Sequence, residues 1–115
     1  MPLFDHAVPR AGGFHDVTVE AVAAHGRSAR LVDVREPEEF RGELGHAPGA
    51  ELVPLGVIPL RAWQWPRDEA VVVICRSGNR SEQAAETLHR LGFRKVMHVV
   101  GGMKAWTARG LPTER

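Results

Sequence analysis

The run Val71-Val72-Val73-Ile74 constrains this chain more than any other stretch. Consecutive β-branched residues read as a buried strand. The run ends in Cys75, the only cysteine, and Arg76-Ser77-Gly78-Asn79-Arg80-Ser81 then makes a short loop. A helical pattern follows from Glu82 to Leu91, with Ala84, Ala85, Leu88 and Leu91 on one stripe and Gly92 closing it. A thiol at the mouth of a strand–loop–helix turn sits where successive backbone N–H groups converge on an anion. Such a setting favours the thiolate, the nucleophilic form of cysteine. A cysteine that merely fills a core needs no cationic neighbours, no residues suited to positive φ and no helix start beside it. Arg76, Gly78, Asn79 and Arg80 supply all three, so the loop reads as catalytic.

Elsewhere strands and helices alternate. Thr18 caps a helix through Ala24 that ends at His25-Gly26, and Leu31–Val34 is a buried strand. Glu36-Pro37-Glu38-Glu39-Phe40 opens a helix, with Pro37 in its first turn and acids favourable to its dipole. After a turn at His46–Ala50, Glu51–Pro54 is a short strand, and a helix starts near Pro59 within 56–65. At least one of Trp63 and Trp65 is expected against the sheet. Val96–Val100 is a further strand, and Gly101-Gly102 leads into a last helix, Met103–Ala108, ended by Gly110 and Pro112. This alternation predicts an α/β domain: a central, mostly parallel sheet flanked by helices on both faces. Ligands of such sheets bind beyond the carboxyl ends of the strands, where Cys75 falls. Residues 1–13, with two prolines and two glycines, are expected to form a flexible N-terminal arm on a domain of residues 14–115.

The bulk properties narrow the function. A chain of 115 residues with 43% hydrophobic content is sized for one globular domain. One cysteine excludes an internal disulfide and a cysteine-rich metal cluster. The six histidines lack metal-binding helix spacing, and surface or structural roles are expected for each. Neither a metal nor a cofactor belongs to this reading. No signal peptide or membrane span is visible, which points to the cytoplasm. Fifteen basic and fourteen acidic residues interleave, so neither nucleic acid nor membrane is an expected partner. The arginines at 76, 80, 90 and 94 are expected to give the cysteine loop a local attraction for small anions.

The sequence resembles a single-domain rhodanese, a sulfurtransferase of the thiosulfate type. Asp33-Val34-Arg35-Glu36-Pro37-Glu38-Glu39-Phe40, Gly45-His46-Ala47-Pro48-Gly49-Ala50, the cysteine loop and Gly101-Gly102-Met103-Lys104-Ala105-Trp106 match family blocks in order, between about Phe14 and Thr113. The resemblance implies a Cys75 persulfide whose terminal sulfur is cradled by Arg76, Ser77, Gly78, Asn79 and Arg80. It further implies a thiosulfate-like donor and, as acceptor, cyanide, a thiol or a partner protein. Asp33 and Arg35 are expected to brace loops, His46 to hold the 47–49 turn, and Trp106 to lie in the core. Arg76 is expected to project outward toward the donor's sulfonate. Arg80 is expected either to face the cradled anion or to pair with a carboxylate such as Glu36. Ser81 is a candidate to cap the helix or support the persulfide.

The same residues bear on other activities. A phosphatase or arsenate reductase uses a similar cradle with five residues between Cys and Arg, whereas four, Arg76 to Asn79, stand here. A shorter loop fits one sulfur atom better than a tetrahedral oxyanion. A noncatalytic binding module is disfavoured by the cysteine and its cationic loop.

Overall fold

The computed structural model describes Met1–Arg115. Six strands, β1 (Val8–Pro9), β2 (His15–Val17), β3 (Arg30–Asp33), β4 (Glu51–Leu52), β5 (Val71–Ile74) and β6 (Val96–Val99), form one sheet in the order β1-β2-β6-β5-β3-β4. Only β1 runs antiparallel, against β2; all other neighbours are parallel. The helices are α1 (Val19–His25), α2 (Pro37–Phe40), α3 (Ile58–Ala62), α4 (Asn79–Arg90) and α5 (Gly102–Ala108).

The central strand β5 shows why the sheet must be covered on both sides. Val71 and Val73 enter a cluster with Ile58 and Ala62 of α3 and Ala84, Ala85 and Leu88 of α4. Val72 and Ile74 face the other way, toward Val19 and Val22 of α1 and Met103 and Trp106 of α5. The period of two splits the strand between two cores, so each residue is buried. Cys75 continues the alternation onto the α4 side.

Local signals set the ends of the helices. Thr18 Oγ1 accepts from the Ala21 N–H at 3.1 Å, and α1 ends at Gly26. In α2, Glu36 and Glu39 form a reciprocal capping box around Pro37 in the first turn. Trp65 is buried and Trp63 exposed, and Trp106 lies in the core with its indole N–H donating to the Pro112 carbonyl at 2.8 Å.

The N-terminal segment departs from expectation. Residues 1–13 are docked rather than a loose arm. Leu3 is fully buried in the α1/α5 core, in a short 3-10 helix, Leu3–His6. Val8 and Pro9 pair with Asp16 and His15. The apolar side chain and two ladder positions outweigh the flexibility suggested by prolines and glycines. Leu3→Ala is therefore expected to cost about 2–4 kcal/mol in urea unfolding, the range for emptying a buried leucine site. An undocked arm would leave stability unchanged.

Candidate active site

The carboxyl ends of β3, β5 and β6 converge on one edge, and the cysteine loop rises from the middle of it. Cys75 is only 1% exposed. Its Sγ accepts the Gly78 N–H at 3.1 Å and the Ser81 N–H at 3.4 Å. Both donors exist because the chain reverses at Gly78, whose φ of 125° suits only glycine, and then enters α4 directly. Asn79, expected to share a positive φ, instead starts the helix, since no residue other than glycine has one. The helical turn itself supplies the second donor.

The outer face of the loop is pinned by α5. The N–H groups of Met103 and Lys104 donate to the carbonyls of Cys75 and Arg76 at 2.8 and 2.9 Å. This close approach accounts for the double glycine. A side chain at Gly102, where φ is 55°, would collide with the Cys75 carbonyl oxygen and lie 2.7 Å from Arg76 backbone atoms.

Arg80 lies at the loop's end and is engaged by a carboxylate of α2. Its guanidinium grips the Glu39 carboxylate at 2.6 and 2.9 Å, so the carboxylate partner is Glu39 of α2 and not Glu36. Glu39 also accepts the Glu36 N–H at 3.1 Å, which leaves Glu36 at the helix cap and Glu39 facing the loop. Hydrogen bonding to Arg80 is the largest cause of the Glu39 carboxyl lying at about 2 instead of its usual 4.5, against the opposing effect of partial burial. Arg76 and Ser77 are exposed at the rim, as expected of Arg76. Arg90 ends α4, about 16 Å along the helix from the loop, and Arg94 lies in the turn beyond it, so neither is beside the sulfur.

Asp33 and Arg35 form a buried pair at 2.8 Å, and Arg35 also donates to the Gly45 carbonyl at 2.7 Å. They brace the β3–α2 connection and do not touch Cys75. His46 stacks on Phe40 with its Nδ1 2.8 Å from the Phe40 carbonyl, and its backbone pairs with Glu114. It ties the end of α2 to the C-terminal tail, rather than holding the 47–49 turn alone.

Of the two roles open to Ser81, it takes the one beside the sulfur, and behind it stands His98, for which only a surface or structural role was expected. Ser81 Oγ lies 3.4 Å from Cys75 Sγ, 3.0 Å from the Gly78 carbonyl and 2.7 Å from His98 Nδ1. Ser81 is thus a ligand of the loop inside the first turn, not the helix cap. His98 is buried on β6, opposite Val73, and burial is the main cause that lowers its pKa below the ordinary value. The signal was the alternation Val96-Met97-His98-Val99, which puts His98 on the face of Val96 and α4.

A cysteine cup at the carboxyl edge of an open, mostly parallel sheet defines a Cys-loop α/β domain. A family model for the rhodanese-like domain matches residues 18–109, and the chain belongs to that family. YrkF of Bacillus subtilis, named as a candidate sulfur carrier protein, is 37% identical over 108 residues. The match covers 91% of this chain and 57% of YrkF, so the chain spans little more than half of that relative. A sulfurtransferase of Allochromatium vinosum is 43% identical over 82 residues, 71% of this chain and 75% of its own length. The crystal structure of a rhodanese-related protein from Thermoplasma volcanium matches with a TM-score of 0.76 at 29% identity, over 84% of this chain and 94% of the other.

The Glu39–Arg80 pair carries a definite pH signature. A carboxyl depressed from 4.5 to about 2 contributes its full stabilisation above its unfolded value, and loses it as pH falls through the folded one. Glu39→Gln is expected to cost about 1 kcal/mol at pH 7, discounted for partial exposure. Urea midpoints from pH 5 down to 2.5 should converge between variant and wild type. A constant gap across that window would show that the pair's charge does not hold the loop.

Proposed function

We propose that this domain is a sulfurtransferase that carries a sulfane sulfur as a Cys75 persulfide. The observation that carries the reading is the cup itself: the one thiol accepts two backbone N–H groups, while Arg80 is occupied by Glu39. The Cys75 thiolate attacks the outer sulfur of thiosulfate. An S–S bond forms at Cys75, the S–S bond of thiosulfate breaks, and its electron pair leaves with sulfite. A thiophilic acceptor, cyanide or a thiol, then attacks the terminal sulfur, and that bond's electron pair returns to Cys75 as thiolate. In both steps negative charge moves along sulfur atoms within reach of the same fixed dipoles, which need no reorganisation during reaction. The sulfonate of the donor is met at the rim by Arg76, the exposed cation of the loop.

A phosphatase reading is disfavoured by Arg80, because a phosphate cradle needs that guanidinium for the phosphate and here Glu39 holds both of its terminal nitrogens. Transfer to a partner protein instead of a small acceptor is a second reading, supported by the sulfur-carrier name of YrkF. No helix is long and apolar enough to cross a membrane. The proposal places the reaction in a reducing compartment such as the cytoplasm, which suits a lone working thiol.

Incubation with thiosulfate is expected to add the mass of one sulfur atom, removable by cyanide, to wild type and not to Cys75→Ala. Arg76→Ala should raise KM for thiosulfate about tenfold with a smaller effect on kcat, and high salt should mimic it. Arg80→Ala should instead lower kcat, by freeing the loop from α2. An unlabelled wild-type protein, with aryl phosphate turned over, would overturn the sulfurtransferase reading.

A further inference from the structure

The buried His98 takes no part in the transfer steps. His98 stands behind Ser81, with Nδ1 2.7 Å from Ser81 Oγ, and Ser81 Oγ in turn lies 3.4 Å from the sulfur. The imidazole Nε2 points away from the sulfur, toward Asp16 of β2 at 3.9 Å and Glu82 of α4 at 3.8 Å. The same two carboxylate oxygens are held by Arg10, at 2.8 and 3.1 Å, from the docked N-terminal segment. The edge of the Phe14 ring closes the site, with centroids 6.0 Å apart.

Proton counting assigns the direction of each bond. Ser81 has one hydroxyl proton, and the Gly78 carbonyl at 3.0 Å is only an acceptor. With a neutral thiol, Cys75 donates to Ser81 Oγ, and Ser81 donates to Gly78. Once the sulfur is anionic, as thiolate or persulfide, that donor is gone and the sulfur becomes a second acceptor for the hydroxyl. If Nδ1 were also an acceptor, three acceptors would compete for one proton. If Nδ1 carries a proton, it donates to Oγ, and the hydroxyl proton is free to turn from Gly78 to the sulfur. His98 is then the remaining side-chain donor to Ser81.

We propose that His98, carrying its proton on Nδ1, is a positioning residue that keeps the Ser81 hydroxyl available as a donor to anionic Cys75. Arg10 supports this arrangement by occupying the two carboxylates that would otherwise draw the proton to Nε2. Burial and Arg10 keep the imidazole neutral, while Asp16 and Glu82 work against them. The inference rests on the sulfurtransferase reading for its consequence, and the hydrogen-bond direction follows from proton counting once the sulfur is anionic.

The test has two arms. In the full-length protein, nitrogen NMR shifts of His98 at pH 7.5 are expected to show a protonated Nδ1 and a bare Nε2, and Arg10→Gln should move the His98 titration to higher pH. A proton on Nε2 in wild type overturns the proposal. The second arm is a double-mutant cycle. Ser81→Ala and His98→Leu should each lower kcat for sulfur transfer about tenfold, with KM for thiosulfate changed less than threefold, and the double variant should be no worse than the weaker single one. His98→Asn, which offers an amide donor near the Nδ1 position, should recover most of the loss. Additive losses, or no rescue by asparagine in a folded protein, would show that His98 only packs. If wild type takes up no sulfur, the sulfurtransferase reading fails by itself. The same cycle is then read on the alkylation rate of Cys75 by iodoacetamide, where non-additivity still supports and additivity still refutes the role of His98.

Discussion

The site depends on two hydrogen bonds that do not touch the sulfur. The first N–H groups of α5 reach across to the carbonyls of Cys75 and Arg76. A peptide plane has its carbonyl and N–H on opposite sides, so drawing these carbonyls outward sets the direction of the peptides that follow. Gly78 and Gly102 both take a positive φ that glycine adopts without strain, and a residue with a Cβ at Gly102 would collide with the Cys75 carbonyl and break the join. The chemistry of the loop is therefore fixed by a helix that contributes no side chain to it. The rest of the fold serves this join: β5 positions one end, β6 delivers the other, and the two cores hold both strands in register.

The charges around the cup divide into those that hold and those that are free. Arg80 and Glu39 clip the loop to α2, and the buried Asp33–Arg35 pair stiffens the connection below it. A buried ion pair is weak evidence of stability, but it fixes one geometry because either charge left alone would be costly. Arg10 performs the same service on the other flank, between Asp16 and Glu82. The loop's exposed cation is Arg76, at the rim. Around the sulfur the loop presents backbone N–H groups, while its second arginine is committed to Glu39.

The parts legible in the sequence are those where one residue's chemistry decides the outcome. Val71–Ile74 is a strand because β-branched side chains on both faces demand two cores, and Gly78 is a turn because nothing else adopts its φ. The double glycine before α5 was readable as a tight entry, though not as a contact with Cys75. The misses involve pairings between distant elements. Choosing Glu39 over Glu36 for Arg80 needs the rotation of a one-turn helix relative to a loop about 40 residues on. His98 enters the site only through the register that sets it opposite Val73. Leu3 and Arg10 lay in a stretch too short and too rich in proline and glycine to show a period, so their docking had no local signal.

The two borders of the sheet bear on how anything large meets this domain. One border is β1, two residues long and ending in Pro9, which has no N–H to offer; the other is β4, also of two residues. Neither presents a ladder long enough to be extended by a strand from another chain. Strand addition therefore has little ladder to build on in this chain. A macromolecule approaching it meets helix surfaces and loops instead, and the loops that crown the parallel strands surround the single sulfur.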